Sequence, residues 1–181
     1  MDWSRSNSIG LARAACVYCG GAGTRTVRRD KETPCCCVLR GIFRVCYNRF
    51  RECVELGAHT STVSRDHLGG KDGRRSYSRK KEEYAADFCL VSRRLLNDSD
   101  YRLFRYHFLL GADWRLCCRQ LNMDRGTFFH EVYRIEQLLG RGFAEVEPYP
   151  LYPIREYFAG VVNKAQPGLE EEEPLELPLS A

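Results

Sequence analysis

Seven of the ten cysteines in this 181-residue chain lie between residues 16 and 53, and two of them form a Cys-x-x-Cys pair. Thiolate sulfur is a preferred ligand of zinc, and structural zinc sites commonly take four ligands from two close pairs. Cys16 and Cys19 form the first pair in "CVYCGG". Gly20 and Gly21 permit the positive φ angles that a tight turn around an ion requires. The spacing therefore predicts that this segment binds a metal ion.

The second pair comes from "PCCCVLR", and fifteen residues separate its first cysteine, Cys35, from Cys19. Adjacent side chains point in different directions, so at most two of these three cysteines can easily bind one ion, and we choose Cys35 and Cys37. Cys36 and Cys46 remain alternatives for one ligand. Four thiolates around one ion leave no position for water, so the metal is expected to be structural rather than catalytic. The sequence thus predicts a structural Zn²⁺ bound by Cys16, Cys19, Cys35 and Cys37.

The alternative is that these cysteines are reduced core residues without a metal. A disulfide framework is less favoured, because disulfides are rare in a reducing compartment and usually spread through a chain. We expect the other cysteines to be buried thiols among apolar helical positions. They are Cys46, Cys53, Cys89, Cys117 and Cys118.

The net charge of +4 conceals a strong asymmetry along the chain. Residues 1–81 hold 17 Lys and Arg against 7 Asp and Glu, an excess of +10. Residues 82–145 hold 9 against 10, and residues 146–181 hold 2 against 7. A basic N-terminal half is typical of proteins that bind polyanions, most often nucleic acid. A solvated Arg-rich surface without such a partner is the alternative.

A basic stripe is predicted on the helix that follows the cysteines. Arg40, Arg44 and Arg51 recur there at spacings of four and seven, which places them on one side of a helix. We predict that this side faces outward and contacts DNA phosphates.

The pattern of apolar residues and breaks predicts a mainly α-helical chain with a small N-terminal four-cysteine zinc module and a helical domain. Residues 58–80 are rich in Gly, Ser and basic residues without apolar periodicity, and are predicted to form a flexible linker. The predicted segments are a flexible N-terminus (1–15), the zinc module with an amphipathic helix (16–57), the basic linker (58–80), the helical domain (81–158) and an acidic disordered tail (159–181).

Within the helical domain, the apolar spacing predicts one helix with a buried stripe at Tyr84, Phe88, Val91 and Leu95. The "NDSD" at 97–100 offers N-caps for the next helix, and Gly111 is placed to end it. After the helix pair, Tyr149, Leu151, Tyr152, Tyr157 and Phe158 are expected to contribute core or partner surface.

A helix-turn-helix is predicted over residues 114–139. The first helix runs from about Trp114 to Leu121, and the second begins after Asp124, a good N-cap. Four positions of the second helix form its apolar stripe, namely Phe128, Val132, Ile135 and Leu139.

Residues 98–142 resemble region four of bacterial sigma-70-type factors, the helix-turn-helix that contacts the upstream promoter element. The resemblance rests on "YRLFRYHFLLG", "DWRLCCRQL", "NMDRGTF" and "VYRIEQLLGR". It implies that Arg125 and Thr127 lie near the phosphate backbone. It also implies that four residues face bases in the major groove, namely Phe129, His130, Glu131 and Arg134. The chain departs from the family at Phe129, which is often polar, and at Glu131, which is often basic.

Nothing in the chain resembles the second region of a full sigma factor, which binds the core polymerase. The sequence therefore predicts a small bacterial or phage transcription regulator that binds double-stranded DNA, with RNA polymerase as a candidate partner. The alternative is a zinc-stabilised interaction adaptor that contacts RNA polymerase or a virion component without reading DNA.

No Gly-rich phosphate loop, nucleophile elbow or paired-carboxylate motif is present, so we expect no enzymatic activity. No apolar run approaches the roughly 18–20 residues that span a bilayer. The first residues also lack the apolar segment of a secretory signal. We therefore expect a soluble cytoplasmic protein of a bacterial cell or phage-infected host, without a membrane partner.

Overall fold

The computed structural model describes residues 10–27, 31–63 and 72–159. These residues are mainly α-helical, with a cysteine cluster near the N-terminus, as the sequence predicts. A short antiparallel hairpin precedes the helices, pairing Thr24 with Pro34 and Val27 with Lys31. The elements are β1 (Thr24–Val27), β2 (Lys31–Pro34), α1 (Cys36–Val63), α2 (Asp72–Leu95), α3 (Asp98–Phe104), a π-helical turn (Arg105–Leu109), α4 (Trp114–Leu121), α5 (Arg125–Glu145) and α6 (Ile154–Ala159).

Side-chain caps set the beginnings of three helices. The side chain of Asn97 accepts a hydrogen bond from the Asp100 amide at 2.8 Å at the start of α3. Asp113 and Asp124 cap α4 and α5 in the same way, at 2.7 and 3.0 Å. Each cap satisfies an amide that has no partner within its helix. The predicted bounds of α4 and the predicted start of α5 are therefore confirmed.

The predicted linker, residues 58–80, differs from the structure at both of its ends. Helix α1 continues through residues 58–63, and α2 already begins at Asp72. Extending an existing helix costs little, and Arg, Lys and Glu are good helix formers. A pair between Arg79 and Glu83 at 3.0 Å also supports the first part of α2. Residues 64–71 lie outside the described part of the chain.

The cysteine segment and the later helices share one hydrophobic core rather than forming two separate modules. Phe43 of α1 lies 6.2 Å from Phe143 of α5 and 4.9 Å from Phe108, measured between ring centroids. Phe88 of α2 lies 5.0 Å from Phe143. Such offset and edge-on ring contacts are favourable beyond the area they bury. The segment that carries the cysteine cluster is therefore packed directly onto the helical domain.

Helices α1 and α5 approach each other most closely at Gly140. A Cβ atom at this position would overlap the backbone carbonyl of Leu39 on α1. Only glycine permits this approach, because it has no side chain to separate the two backbones. The crossing fixes α5 against the helix whose first turn carries two of the cysteines.

The apolar stripe predicted on α5 is confirmed, since all four of its residues are buried. On α2, Tyr84, Phe88 and Val91 are buried as predicted, but Leu95 is 38% exposed. Leu96 fills the core instead, because α2 ends at Leu95 and the chain turns inward. Its amide still donates to the Ser92 carbonyl at 3.2 Å.

The segment after α5 folds back onto the core. Leu151 is buried, and its amide donates to the Phe143 carbonyl at 2.9 Å. The Tyr157 hydroxyl donates to Asp87 at 2.7 Å, while Tyr149 is exposed. The expected contribution to the core is confirmed for the buried Leu151 and for three residues that pack against the core, namely Tyr152, Tyr157 and Phe158. The expected partner surface at the exposed Tyr149 stays a prediction. Most of the predicted flexible N-terminus (residues 1–9) and nearly all of the predicted acidic tail (160–181) lie outside the described residues.

Candidate metal centre and adjoining helix pair

Four thiols converge to form the candidate metal centre, defined as Cys16, Cys19, Cys35 and Cys37. Their sulfur atoms all lie within 4.8 Å of one another. The Cys16–Cys35 and Cys19–Cys37 sulfur distances are both 3.7 Å. A tetrahedral ion with zinc–sulfur bonds of about 2.3 Å requires sulfur–sulfur distances of about 3.8 Å. The donor set therefore fits a single thiolate-bound ion, and it is the set predicted from the sequence.

The backbone around Cys16 and Cys19 forms a tight turn. The Gly20 amide donates to the Cys16 carbonyl, and the Ala22 amide to the Cys19 carbonyl, both at 2.8 Å. Gly20, Gly21 and Gly23 have φ values of +53°, +91° and +78°. A side chain would strain the backbone at these angles. Gly20 and Gly21 thus adopt the positive φ angles that the sequence predicts for this turn.

The hairpin and the start of α1 bring the second pair to the first. The Cys35 amide donates to the Gly23 carbonyl at 2.8 Å, which joins the two halves of the centre. Cys37 lies in the first turn of α1. The positive end of a helix dipole stabilises nearby anions, so this position favours a thiolate.

The two alternative ligands lie outside the group of four. The Cys36 sulfur is 3.9 Å from that of Cys35 but does not join the cluster. The Cys46 thiol is buried in the core and lies 3.8 Å from the Leu151 carbonyl, to which it donates. Burial raises the pKa of Cys46 to about 12. Cys46 is therefore a core thiol, as are the buried Cys53 and Cys117.

Cys16 and the two buried cysteines of the metal centre differ in acidity. A backbone hydrogen bond from Tyr18 is the main cause that lowers the pKa of Cys16 to about 6. Burial raises the pKa of Cys35 and of Cys37. Because metal binding displaces the thiol protons, an ion must supply the energy to ionise the two buried cysteines. Four thiolates suit Zn²⁺ and other thiophilic ions alike, and they leave no open coordination position for catalysis.

A buried carboxylate links α1 to α5. The Glu136 side chain, 8% exposed, accepts from Arg40 Nε at 2.6 Å and lies 3.5 Å from Arg44 Nε. The Arg40 guanidinium also lies 3.9 Å from the centroid of the Tyr133 ring. The prediction that Arg40 faces outward is therefore wrong, because α5 carries a carboxylate and an aromatic ring that the spacing on α1 cannot reveal. Arg51 is exposed as predicted, and it pairs with Glu55 at 2.8 Å.

Replacing Glu136 with glutamine is expected to lower the free energy of unfolding by about 2–3 kcal/mol. The change removes the charge that balances the largely buried Arg40, and breaking such a pair from one side is costly. Urea denaturation of the variant and the wild type measures the difference. Glu55→Gln, which breaks a pair between two exposed side chains, should change stability by less than about 1 kcal/mol. Equal effects of the two variants would contradict this role for Glu136.

Residues predicted to contact DNA occupy different environments on α5. Arg125, Thr127 and His130 are exposed near its first turns, and Thr127 also donates through its hydroxyl to Asp124 at 2.6 Å. Phe129 is half-buried and packs edge-on against Phe128, with 5.1 Å between centroids.

Arg134 is bound within the protein. Its guanidinium pairs with Asp100 of α3, and its Nε donates to Glu131 at 2.7 Å. Asp100 is buried, so Arg134 connects α5 to α3. Arg134 therefore pairs both with Glu131 on its own helix and with Asp100 on α3.

Three exposed arginines lie on α4 and at the start of α5, and only Arg125 among them is predicted from the sequence to contact DNA. The guanidinium carbons of Arg115 and Arg125 each lie 5.3 Å from the Trp114 ring, and that of Arg125 lies 5.7 Å from Phe129. Arg119 is also exposed, one turn after Arg115 on α4. None of these three arginines forms an ion pair with a carboxylate in the described part of the chain. The spacing of four between Arg115 and Arg119 is the signal that could have identified them.

Comparison with protein families, with curated proteins and with solved structures finds no match to the chain. No helix within residues 10–27, 31–63 and 72–159 is long and apolar enough to cross a membrane. Function is therefore inferred from the geometry of the metal centre and of the helix pair formed by α4, the turn 122–124 and α5.

Proposed function

We propose that this protein is a DNA-binding transcription regulator. Helices α4 and α5 contact double-stranded DNA as a helix-turn-helix, and a structural Zn²⁺ at the four cysteines stabilises the segment that supports them. The observation that carries the proposal is the exposed start of α5, which carries Arg125, Thr127 and His130. Arg125 there shares the Trp114 ring with Arg115 of α4.

The shape of the helix pair supports this proposal. An eight-residue helix is followed by a short turn and then by a helix of 21 residues. Asn122 adopts φ +52°, a left-handed conformation that lets the chain reverse direction sharply. In proteins that read DNA in this way, the second helix presents its N-terminal residues to base edges in the major groove. The exposed polar residues of α5 lie at that end.

The distribution of charge assigns the contacts to particular residues. Arg115, Arg119 and Arg125 have no carboxylate partner in the described residues, so DNA phosphates would neutralise them. His130 and the exposed part of Phe129 are the proposed base contacts, since an apolar side chain can contact a thymine methyl group. Arg134 and Arg40 hold α5 against α3 and α1 and act as positioning residues.

A zinc-stabilised protein adaptor, with RNA polymerase or a virion component as partner, is the second candidate. Exposed apolar side chains favour it. Leu95 and Leu138 are both 38% exposed, and Leu95 lies beside Gly142 on α5. The two candidates differ in their response to salt. DNA binding releases counterions, so the affinity of a DNA complex falls steeply as the salt concentration rises.

Selection of bound sequences from a random pool of duplexes tests the regulator. We expect a motif to be enriched, and His130→Ala to relax the preference at one or two positions of it. Arg125→Ala should weaken binding to all sequences by about tenfold and reduce the salt dependence by about one counterion. Arg155→Ala is the matched control, because Arg155 is exposed on α6, which packs against α1 and α2. An unenriched pool, together with equal affinities of the two arginine variants, would exclude the regulator.

A further inference from the structure

Two apolar side chains project from the metal-binding turn. Val17 is 90% exposed and Tyr18 is 64% exposed, although both lie between the ligands Cys16 and Cys19. We call these two residues the knuckle tip. Single exposed apolar residues are common on protein surfaces, but two in succession on a backbone fixed by a metal form a preorganised contact.

A cation lies beside the ring at the knuckle tip. The Arg25 guanidinium carbon lies 5.4 Å from the centroid of the Tyr18 ring. Residues 10–27 contain two arginines, Arg13 and Arg25, and no aspartate or glutamate. An aromatic ring beside a cation suits a ligand that is both flat and anionic.

We propose that the knuckle tip binds an unpaired base of single-stranded nucleic acid. The base stacks on the Tyr18 ring, Val17 contacts the neighbouring base or sugar, and Arg25 contacts the phosphate between them. In a duplex the faces of the bases are covered by their neighbours, so a stacking contact of this kind selects an unpaired strand. The site is separate from the helix pair and does not depend on the function proposed for α4 and α5.

Fluorescence anisotropy with the zinc-loaded full chain tests this site. The probes are a labelled 15-nucleotide oligodeoxythymidine and a labelled duplex of the same length. Tyr18→Ala should weaken binding to the single strand by about tenfold or more, because stacking on an aromatic side chain contributes much of the affinity per base. Tyr18→Phe should retain binding, since the ring rather than the hydroxyl makes the contact.

Tyr149→Ala is the matched control, because Tyr149 is 63% exposed elsewhere on the protein. Val17→Ser gives a second variant of the tip, and metal content and thermal midpoint are measured for each protein to verify its fold. The proposal is overturned if the oligonucleotide does not bind, if Tyr18→Ala and Tyr149→Ala behave alike, or if Tyr18→Ala weakens duplex binding equally.

The result of the single-strand binding experiment is independent of the duplex selection that tests the helix pair. Loss of single-strand binding in Tyr18→Ala with normal duplex selection supports the knuckle tip alone. Loss of duplex binding in Arg125→Ala with normal single-strand binding supports the helix pair alone. The two variants therefore distinguish a failure of one proposal from a failure of the other.

Discussion

Replacing Cys37 with serine is expected to abolish stable metal binding and to lower the midpoint of thermal unfolding by about 10 °C or more. Metal binding at a four-cysteine site is coupled to folding, and its free energy is large compared with the net stability of a small domain. Cys37 is buried and its sulfur lies 3.7 Å from that of Cys19. A serine oxygen is a harder and poorer ligand that would leave a distorted three-sulfur site.

Cys36→Ser is the matched control, one residue away in the same helical turn. Its sulfur lies outside the four-cysteine group, so the variant should retain the metal and unfold within about 2 °C of the wild type. Elemental analysis is expected to find about one zinc per chain in the wild type and in Cys36→Ser, and little in Cys37→Ser. A wild-type protein without metal, or equal losses in the two variants, would contradict the metal centre.

Chelation should affect more than the hairpin. Because α1 begins at the metal centre and then contributes Phe43 to the shared core, loss of the ion removes the anchor at one end of a core helix. We therefore expect a chelator to reduce the helical signal measured by circular dichroism and not only the order of residues 16–34.

The cluster of four cysteines could be predicted because the rules that bring them together are local. Two close cysteine pairs, glycines after the first pair and a helix after the second are all visible as short patterns. The same holds for α4 and α5, whose beginnings depend on the caps Asp113 and Asp124. A cap acts over three residues, so the sequence contains the whole interaction.

The environment of the arginines could not be predicted, because it depends on residues distant in the chain. Arg40 and Glu136 are 96 positions apart, and Arg134 and Asp100 are 34 apart. Helical spacing correctly groups Arg40, Arg44 and Arg51 on one helix, but it does not identify which of them meets another helix. Two of the three therefore contact a carboxylate on α5 instead of forming a free basic stripe.

The sequence also could not show that the cysteine segment and the later helices share one core. The basic composition of residues 58–80 predicts a linker, yet both ends of this stretch are helical. An exposed helix and a flexible linker can have similar contents of charged residues, and only packing against the rest of the protein distinguishes the two. Here the aromatic residues of α1 and α5 form the same core, so the cysteine segment is an integral part of the helical domain.

The close approach of α1 and α5 predicts a second large effect of a substitution on stability. Replacing Gly140 with alanine is expected to lower the free energy of unfolding by about 3 kcal/mol or more. A methyl group there would overlap the Leu39 carbonyl, and a backbone cannot move aside as a flexible side chain can. Relief requires the two helices to separate, which also disturbs the Arg40–Glu136 pair near the same crossing. Urea denaturation measures the loss.

Gly142→Ala on the same helix is the matched control. The added methyl group meets only the end of the partly exposed Leu95 side chain, which can adopt another rotamer. Alanine is a better helix former than glycine by up to about 1 kcal/mol, so this variant should be neutral or slightly stabilised. If the two variants had the same stability, the backbones would not be in contact at Gly140. The position of α5 against α1 would then depend on side-chain contacts alone. No backbone contact at this crossing would join the helix that begins at the metal centre to the second helix of the helix pair.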